Sequence, residues 1–218
     1  MQIRLLGEVL ELLPQRAVYW QAQRMLLIAD IHFGKATAFR SRGFPVPRGT
    51  TSQNLLALEQ LLAARDIGHI LFLGDFLHAK AAHSPATMAA LRQWRARFSA
   101  LKLTLVRGNH DLHAGDPPEE LEIELVNEPH HLGPFAFCHH PHLAGVTTKA
   151  YVIAGHLHPV YSLAGRADRV RLPCFLFNEM RGILPSFGAF TGGYLVSPSP
   201  RERLFLTTGD AVFEVPRR

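Results

Sequence analysis

Short apolar runs that stop at clusters of polar residues constrain the fold of this chain more than any other feature. Met25–Ala29, Ile70–Leu73 and Leu101–Val106 are three such runs, and segments with helical spacing separate them. A run that is apolar at every position predicts a strand buried on both faces, as in a parallel sheet. Because the carboxyl ends of parallel strands meet at one edge of a sheet, the polar clusters that follow should converge there.

The pattern changes near residue 121, after which strand-like runs follow one another with turns between them. These runs are Leu121–Val126, Phe135–Cys138, Tyr151–Ala154, Arg169–Phe177, Phe190–Val196 and Leu204–Thr208. Alternating β and α segments followed by β segments predict an α/β fold, in which two sheets pack face to face with helices outside. No linker divides the chain, so we expect a single domain over residues 1–218.

Three local patterns predict the connections. Residues 40–50 are rich in Arg, Pro and Gly and predict a loop. A helix should follow, capped by Thr51 or Ser52, with an apolar stripe of leucines. Ser84-Pro85 predicts the N-cap and first position of another helix, which should run to about Ala100.

Charge and cysteine content narrow the chemistry only slightly. The net charge of +5 suits an anionic partner such as nucleic acid or a phosphorylated metabolite, although a solvated basic surface is the simpler explanation of charge alone. The two cysteines, Cys138 and Cys174, indicate no disulfide framework and favour a cytoplasmic location. No apolar run approaches the ~20 residues of a membrane span, so no membrane partner is expected.

Five polar clusters follow the apolar runs in order. They are Asp30-Ile31-His32, Gly74-Asp75, Gly108-Asn109-His110-Asp111, Cys138-His139-His140-Pro141-His142 and Gly155-His156-Leu157-His158. Residues i and i+2 of an extended segment point the same way, so Asp30 and His32 are expected to bind one ion. Alone, each cluster has an ordinary explanation as a surface turn or a pair of loop histidines. Five clusters at strand ends favour a metal site instead.

The ligand types indicate which ions such a site would take. A mixture of Asp, Asn and His suits Mn²⁺, Fe or Zn²⁺ better than Ca²⁺ or Mg²⁺ alone. In the fourth cluster His139, His140 and His142 are all candidate ligands. Cys138 is expected to face the core as a small apolar residue.

Residues 25–160 resemble the calcineurin-like metallophosphoesterases through Asp30-x-His32, Gly74-Asp75, Gly108-Asn109-His110-Asp111, His139 and Gly155-His156-x-His158. The resemblance implies a four-layer α/β/β/α sandwich with two mixed sheets. It also implies two divalent metal ions, with Mn²⁺ preferred. One ion would be held by Asp30, His32 and His158, the other by Asn109, His139 and His156, and Asp75 would bridge them.

The same resemblance implies hydrolysis of phosphodiesters or phosphomonoesters by a hydroxide that bridges the metals. His110 would protonate the leaving oxygen or stabilise the transition state. The family often has glycine after the histidine of the fourth motif, and His140 stands there in this chain. We prefer His139 as the ligand because it directly follows the strand Phe135–Cys138.

The loop after the first cluster predicts the substrate. Ala29–Lys35 together with Arg42–Pro47 is similar to bacterial ligase-associated DNA-damage-response endonucleases. This similarity implies a DNA substrate, and a DNA ligase and a helicase as partners in repair. Lys35, Arg42 and Arg48 are expected to contact phosphates, with Asn109 as a further substrate contact. Phe33, Phe39 and Phe44 could stack on bases, although burial in the core is the simpler explanation for them.

Two alternatives stay open at this point. One is a phosphoesterase for a small nucleotide or a lipid-linked pyrophosphate, for which we find no basic amphipathic insertion. The other is a non-enzymatic scaffold of the same fold. A scaffold predicts missing ligands, whereas every ligand position is filled here.

Overall fold

The structure is a computed structural model that describes residues 1–142, 150–165 and 168–216. Its α-helices are α1 (Lys35–Ser41), α2 (Thr50–Ala64), α3 (Pro85–Arg97) and α4 (Asn109–Ala114), with 3-10 turns at Gln21–Gln23, Lys80–His83 and Glu119–Leu121. The strands of the first half are β1 (Gln2–Leu5), β2 (Glu8–Leu12), β3 (Val18–Trp20), β4 (Met25–Ala29), β5 (His69–Leu73), β6 (Lys102–Val106) and β7 (Ile123–Val126).

The strands of the second half are short and numerous. They are β8 (His130–Leu132), β9 (Phe135–Cys138), β10 (Tyr151–Ala154), β11 (Pro159–Ala164), β12 (Arg169–Phe177), β13 (Arg181–Ile183), β14 (Tyr194–Leu195), β15 (Arg203–Thr207) and β16 (Val212–Val215). Among the described residues, no helix combines the length and apolar character needed to cross a bilayer.

The first sheet has the order β1-β2-β3-β4-β5-β6-β7. Its first four strands pair antiparallel, while β4, β5, β6 and β7 pair parallel. The parallel strands β4, β5 and β6 are apolar and almost wholly buried, as their continuous apolar runs predict. Their carboxyl ends therefore lie side by side at one edge of the sheet.

The second sheet has the order β14-β11-β12-β13-β10-β9-β8, and β12 also pairs with β15, which pairs with β16. β10 lies parallel to both β9 and β13, so β9 and β10 also end at a shared edge. The inner faces of the two sheets bury one apolar cluster, to which Leu27 and Leu71 contribute from the first sheet and Phe137, Phe175 and Phe205 from the second. This packing brings the two ligand-bearing edges together.

The described helices cover the first sheet. Leucines of α2 and α3 pack on β4 and β5 in a second apolar cluster that includes Ile28, Ile70 and Phe72. The α/β class and the two mixed sheets are confirmed. Every described helix precedes residue 122, and the second sheet contributes a small apolar cluster around Cys174 and Leu176.

Several local predictions need correction. The predicted loop 40–50 overlaps α1, which ends at Ser41. α2 begins after Gly49 without a side-chain cap, and the Thr51 hydroxyl instead accepts the Gly34 N–H at 3.4 Å. The predicted strand 190–196 shrinks to Tyr194–Leu195. The cap at Ser84 is as predicted, since its side chain accepts the N–H of Thr87.

Leu71→Ala should lower the free energy of unfolding by about 2–5 kcal/mol, because Leu71 is fully buried between the sheets and its loss leaves a cavity. Leu56→Ala is the matched control. Leu56 is 55% exposed on α2, so its truncation should change stability by less than about 0.5 kcal/mol. Urea unfolding of both variants measures the difference, and equal losses would contradict the assignment of the core.

Candidate metal centre

The polar clusters meet where the carboxyl ends of the two sheets face each other. Asp30 follows β4, Asp75 follows β5 and Asn109 follows β6, while His139 follows β9 and His156 follows β10. The side chains of Asp30, His32, Asp75 and His139 are almost fully buried. The structure thus brings distant parts of the chain into contact, as in the 2.9 Å hydrogen bond from the His156 N–H to Asp30 Oδ2, which joins residues 126 positions apart.

The backbone at these residues is left-handed. Nine non-glycine residues in the described part of the chain have positive φ, and five of them are candidate ligands: Asp30, His32, Asp75, His156 and His158. Their φ values lie between 48° and 68°. The extended geometry predicted for Asp30 and His32 is therefore wrong, although both side chains do face the same site. Each left-handed residue costs about 1–3 kcal/mol, and such strain concentrates at functional sites.

Two glycines make room for the carboxylates. A Cβ on Gly155 would lie 2.6 Å from Asp30 Oδ2, and one on Gly108 would overlap Asp75 Oδ1. Any larger residue at these two positions would displace a candidate ligand. The glycines in the polar clusters are therefore required by close approach rather than by turn formation alone.

Asp75 lies between two groups of ligands. Its Oδ2 is 3.6 Å from His32 Nε2, and its Oδ1 is 3.5 Å from His139 Nε2. Oδ1 also accepts the backbone N–H of His110 at 2.9 Å. One carboxylate thus presents a different oxygen to each group, which is one of the arrangements that allow a carboxylate to bridge two ions.

The first group consists of Asp30, His32, Asp75 and His158, whose ligand atoms all lie within 4.8 Å of one another. His158 Nε2 lies 3.4 Å from Asp30 Oδ1. Asp30 Oδ1 and His32 Nε2 are buried and have no hydrogen-bond partner among the residues that the structure describes. A buried polar atom without a partner is costly, and a cation among these atoms would satisfy both. The residues present therefore fit a metal ion.

The second group surrounds His139 Nε2. Asn109 Oδ1 lies 2.8 Å from this nitrogen, and His156 Nδ1 lies 3.0 Å from it. Two ring nitrogens and an amide oxygen, together with Asp75 Oδ1, could hold a second ion. All seven predicted ligands are thus divided between two adjoining groups that share Asp75.

Main-chain carbonyls fix the tautomers of three histidines in the site. The Nδ1–H groups of His139, His158 and His110 donate to the carbonyls of Leu73, Gly192 and His78 at 3.1, 3.2 and 2.7 Å. Because a carbonyl only accepts, each Nδ1 carries a proton and each Nε2 is left available. Such outer hydrogen bonds orient ligating histidines in metalloproteins.

His110 lies on the rim of the site. Its Nε2 is 4.0 Å from Asp75 Oδ2, and its ring stacks on that of His78 with centroids 4.6 Å apart. The side chain of His110 is about one-third exposed, unlike that of Asp75. A substrate can therefore reach this imidazole from solvent.

The three candidate histidines of the fourth cluster have different surroundings. His139 is fully buried between Asp75 and Asn109. The ring of His140 packs against those of His139 and His156, with its Nδ1 2.6 Å from Glu128 Oε1. His142 is exposed and lies beside the guanidinium of Arg181. The geometry favours His139 as the ligand.

Burial controls the protonation of the site. It raises the pKa of Asp75 to about 6, and the neighbouring Asp30 charge adds to this shift. Burial also lowers the pKa values of His32, His139 and His156, so these rings are neutral near pH 7. For His158 burial acts in the same direction, but the Asp30 carboxylate 3.4 Å away outweighs it and raises the pKa of His158. Neutral imidazoles are the form that binds metal.

The predicted substrate-binding cations lie at different distances from the site. Lys35, the first residue of α1, is close enough to Asp75 and Asp30 for both carboxylates to raise its pKa, although burial lowers it overall. Arg42 is exposed at the end of α1 and acts on the pKa of His78. Arg48 is exposed farther along the loop, and within the described ranges it forms no contact with the ligands. Phe33 is buried, whereas Phe44 is 55% exposed.

Two residues that support the site were not predicted from the sequence. Glu128 Oε2 accepts the N–H groups of His139 and His140 at 2.7 and 2.9 Å. Asn54 of α2 donates to the Ile31 carbonyl and accepts the N–H of Ala189, at 2.9 and 2.8 Å. Glu128 precedes His139 by 11 residues and reaches it only because β8 and β9 pair antiparallel, so no motif spacing identified it. The only signal for Asn54 was a polar residue beside the leucine stripe of α2.

A two-sheet α/β fold with paired carboxylates and histidines at its strand ends defines a metal-dependent phosphoesterase. Residues 23–168 match the family described as calcineurin-like phosphoesterase. The chain belongs to this family, so the predictions of the family and of a metal-dependent phosphoesterase are confirmed. A candidate ligand side chain is present at every metal-binding position of the motifs, which argues against the alternative of a non-enzymatic scaffold. No protein of curated function matches the chain.

Solved structures agree with this assignment. The chain is 44% identical to the Pseudomonas putida nuclease MPE, with 99% of each chain covered and a TM-score of 0.87. Two weaker similarities have no bearing on function. A protein of unknown function from Aquifex aeolicus, AQ665, is 21% identical over 62% of this chain and 78% of its own, with a TM-score of 0.40. The Vps29 double mutant from Entamoeba histolytica is 15% identical over 88% and 97%, with a TM-score of 0.34.

Glu128→Gln should weaken metal binding by about 10- to 100-fold, because the hydrogen bonds that orient a ligating histidine tune its affinity for metal. Isothermal titration of the metal-free protein with Mn²⁺ measures this change. Glu179→Gln removes the same charge at an exposed position and should leave the affinity unaltered. Equal affinities in the two variants would show that Glu128 does not position His139.

Proposed function

We propose that this protein hydrolyses phosphodiester bonds with two divalent metal ions, Mn²⁺ being the preferred ion. The observation that carries the proposal is the placement of Asp75, whose two oxygens face two separate ligand groups at 3.6 and 3.5 Å. Asp30, His32 and His158 would hold one ion, and Asn109, His139 and His156 the other. When bound, the ions would supply an activated water as the nucleophile and would offset the charge that grows on the phosphoryl oxygens.

The chain itself provides proton transfer and positioning. The bond from His110 Nδ1 to the His78 carbonyl directs the opposite nitrogen, Nε2, towards Asp75. When the ring carries a second proton, on Nε2, that proton can pass to the leaving oxygen, or it can hydrogen-bond to a phosphoryl oxygen in the transition state. Asn109 would contact the substrate from the other group. The partial exposure of His110 supports this role, since the leaving group must be able to depart into solvent.

A nucleic acid, specifically DNA, is the proposed substrate. The similarity to a bacterial nuclease over the whole chain supports it. Lys35, Arg42 and Arg48 place three cations on the segment that follows the first metal ligands, where phosphates of a strand could bind. A role in DNA repair beside a DNA ligase and a helicase extends this proposal and rests on the motif resemblance. Two buried free thiols, Cys138 and Cys174, suit the proposed cytoplasmic location.

Asp75→Asn should abolish hydrolysis of an aryl phosphodiester, because a neutral amide cannot bridge two cations in the same way. His110→Ala should lower kcat by about 10²- to 10⁴-fold while metal content stays close to that of the unaltered protein. Metal analysis and steady-state kinetics with Mn²⁺ measure both effects. His131→Ala, at an exposed position on β8, is the control and should behave as the unaltered protein. Normal turnover by the metal-stripped protein would refute the two-metal proposal.

Arg42→Ala and Arg48→Ala should each weaken DNA binding across sequences and reduce the slope of log affinity against log salt by about 1. Fluorescence anisotropy with a labelled oligonucleotide at several salt concentrations gives the slope. Arg4→Ala on β1, an exposed arginine of the N-terminal strand, is the matched control. An unchanged slope in both loop variants would remove this loop from the DNA-binding surface.

A further inference from the structure

A series of aromatic rings leads from the surface of the protein to the candidate metal centre. The ring centroids of Phe44 and Phe39 are 5.8 Å apart, and those of Phe39 and His78 are 6.0 Å apart. His78 then stacks on His110 at 4.6 Å. Each of these distances falls within the range in which aromatic side chains interact. The outermost ring, Phe44, is therefore linked to the rim of the catalytic site by direct ring contacts.

Hydrogen bonds of the turn hold Phe44 in its exposed position. Its N–H donates to the Phe39 carbonyl at 3.2 Å, and the Gly43 N–H donates to the Arg40 carbonyl at 2.9 Å. The guanidinium of Arg40 closes the loop by donating to the Pro47 carbonyl at 3.0 Å. A single exposed phenylalanine is ordinary on a protein surface. This one differs because hydrogen bonds order the turn around it and its ring contacts that of Phe39.

A second wall of the same surface comes from a distant part of the chain. Phe190, in the loop that supplies the Gly192 carbonyl to His158, packs edge-on against Phe39 with centroids 5.7 Å apart. Phe39 is thus fixed from both sides, and its neighbour Phe44 remains open to a ligand. The aromatic surface is consequently tied to the first ligand group through His158.

The positive charge around this surface favours an anionic ligand, and the exposed ring of Phe44 favours one that contains a flat ring. Arg42 lies two residues before Phe44, is exposed, and forms no ion pair with any residue of the described ranges. Lys35 lies at the other end of α1, next to the two buried carboxylates. A nucleotide combines a phosphate with an aromatic base and therefore matches both features.

We propose that Phe44, supported by Phe39, forms a stacking subsite for an exposed base of the strand whose phosphodiester bond lies at the metal centre, with Arg42 contacting a neighbouring phosphate. This inference rests on the proposed nuclease function and adds a substrate contact to it. Stacking tolerates any base because every base has a π-face, so the subsite would hold a strand without reading its sequence.

The subsite is tested by altering the protein and the substrate, first separately and then together, and comparing the losses in kcat/KM. Each oligonucleotide in a set carries one abasic residue, at a different position around the cleaved bond. The kcat/KM for each is measured with Mn²⁺ for the unaltered protein and for Phe44→Ala. In the unaltered protein, one abasic position should lower kcat/KM by about 5- to 150-fold, the range that base–aromatic stacking spans on alanine substitution. Phe44→Ala should show a similar loss on the intact oligonucleotide and no further loss at that position.

Conservative and remote variants separate stacking from general damage. Phe44→Trp should keep the abasic penalty, and Phe44→Leu should lose most of it. Phe213→Ala removes a phenylalanine that is 53% exposed on β16, and its kinetics should match those of the unaltered protein. An abasic penalty of the same size in Phe44→Ala would overturn the subsite and leave the nuclease proposal intact. Hydrolysis of an aryl phosphodiester without cleavage of any oligonucleotide would overturn both.

Discussion

The burial of two carboxylates at one point between the sheets is the constraint on which the site depends. Asp30 and Asp75 are 0% and 2% exposed, and like charges at such depth repel each other in a medium of low dielectric constant. The raised pKa of Asp75 is the direct sign of this cost. Burial lowers the pKa values of His32, His139 and His156, whereas the Asp30 carboxylate raises that of His158, and Lys35 lies beside both carboxylates. Added cations would therefore stabilise the arrangement at neutral pH, which is the property that a site for divalent metal ions should have.

The same constraint explains why the backbone is strained at the ligands. A loop that leaves a buried strand and must turn its first side chain back over the strand end cannot continue in an extended conformation. Asp30, His32 and Asp75 meet this demand by adopting positive φ, and the contacts around them hold that conformation. The Asp30 carbonyl, for example, accepts the Ser186 hydroxyl at 2.7 Å. The strain is thus compensated by hydrogen bonds from loops that are distant in sequence, so the positions of the ligands depend on the packing of the two sheets.

The sequence predicted the strand ends well because each depends on one local contrast, an apolar run followed by polar residues. Met25–Ala29 is observed with the predicted bounds, and so are Phe135–Cys138 and Tyr151–Ala154. α1 was not predicted because seven residues are too few to show a helical period. β13 has only three residues and exists because β10 and β12 lie on either side of it. The support from Glu128 and Asn54 depends on tertiary contacts, which no local pattern records.

The proposed substrate-binding surface is held in place relative to the candidate metal centre because only a short segment of chain separates them. Two residues, Phe33 and Gly34, separate His32 from the first residue of α1, and Phe33 is anchored in the core beside Phe76. Gly34 approaches Ala82 so closely that a Cβ there would overlap it, which fixes the start of the helix against the 3-10 turn Lys80–His83. A short helix fixed at its start carries Lys35, Phe39 and Arg42 in set positions relative to the first ligand group. The geometry that holds the metal ligands therefore also determines where a bound strand could lie, and the two cannot change independently.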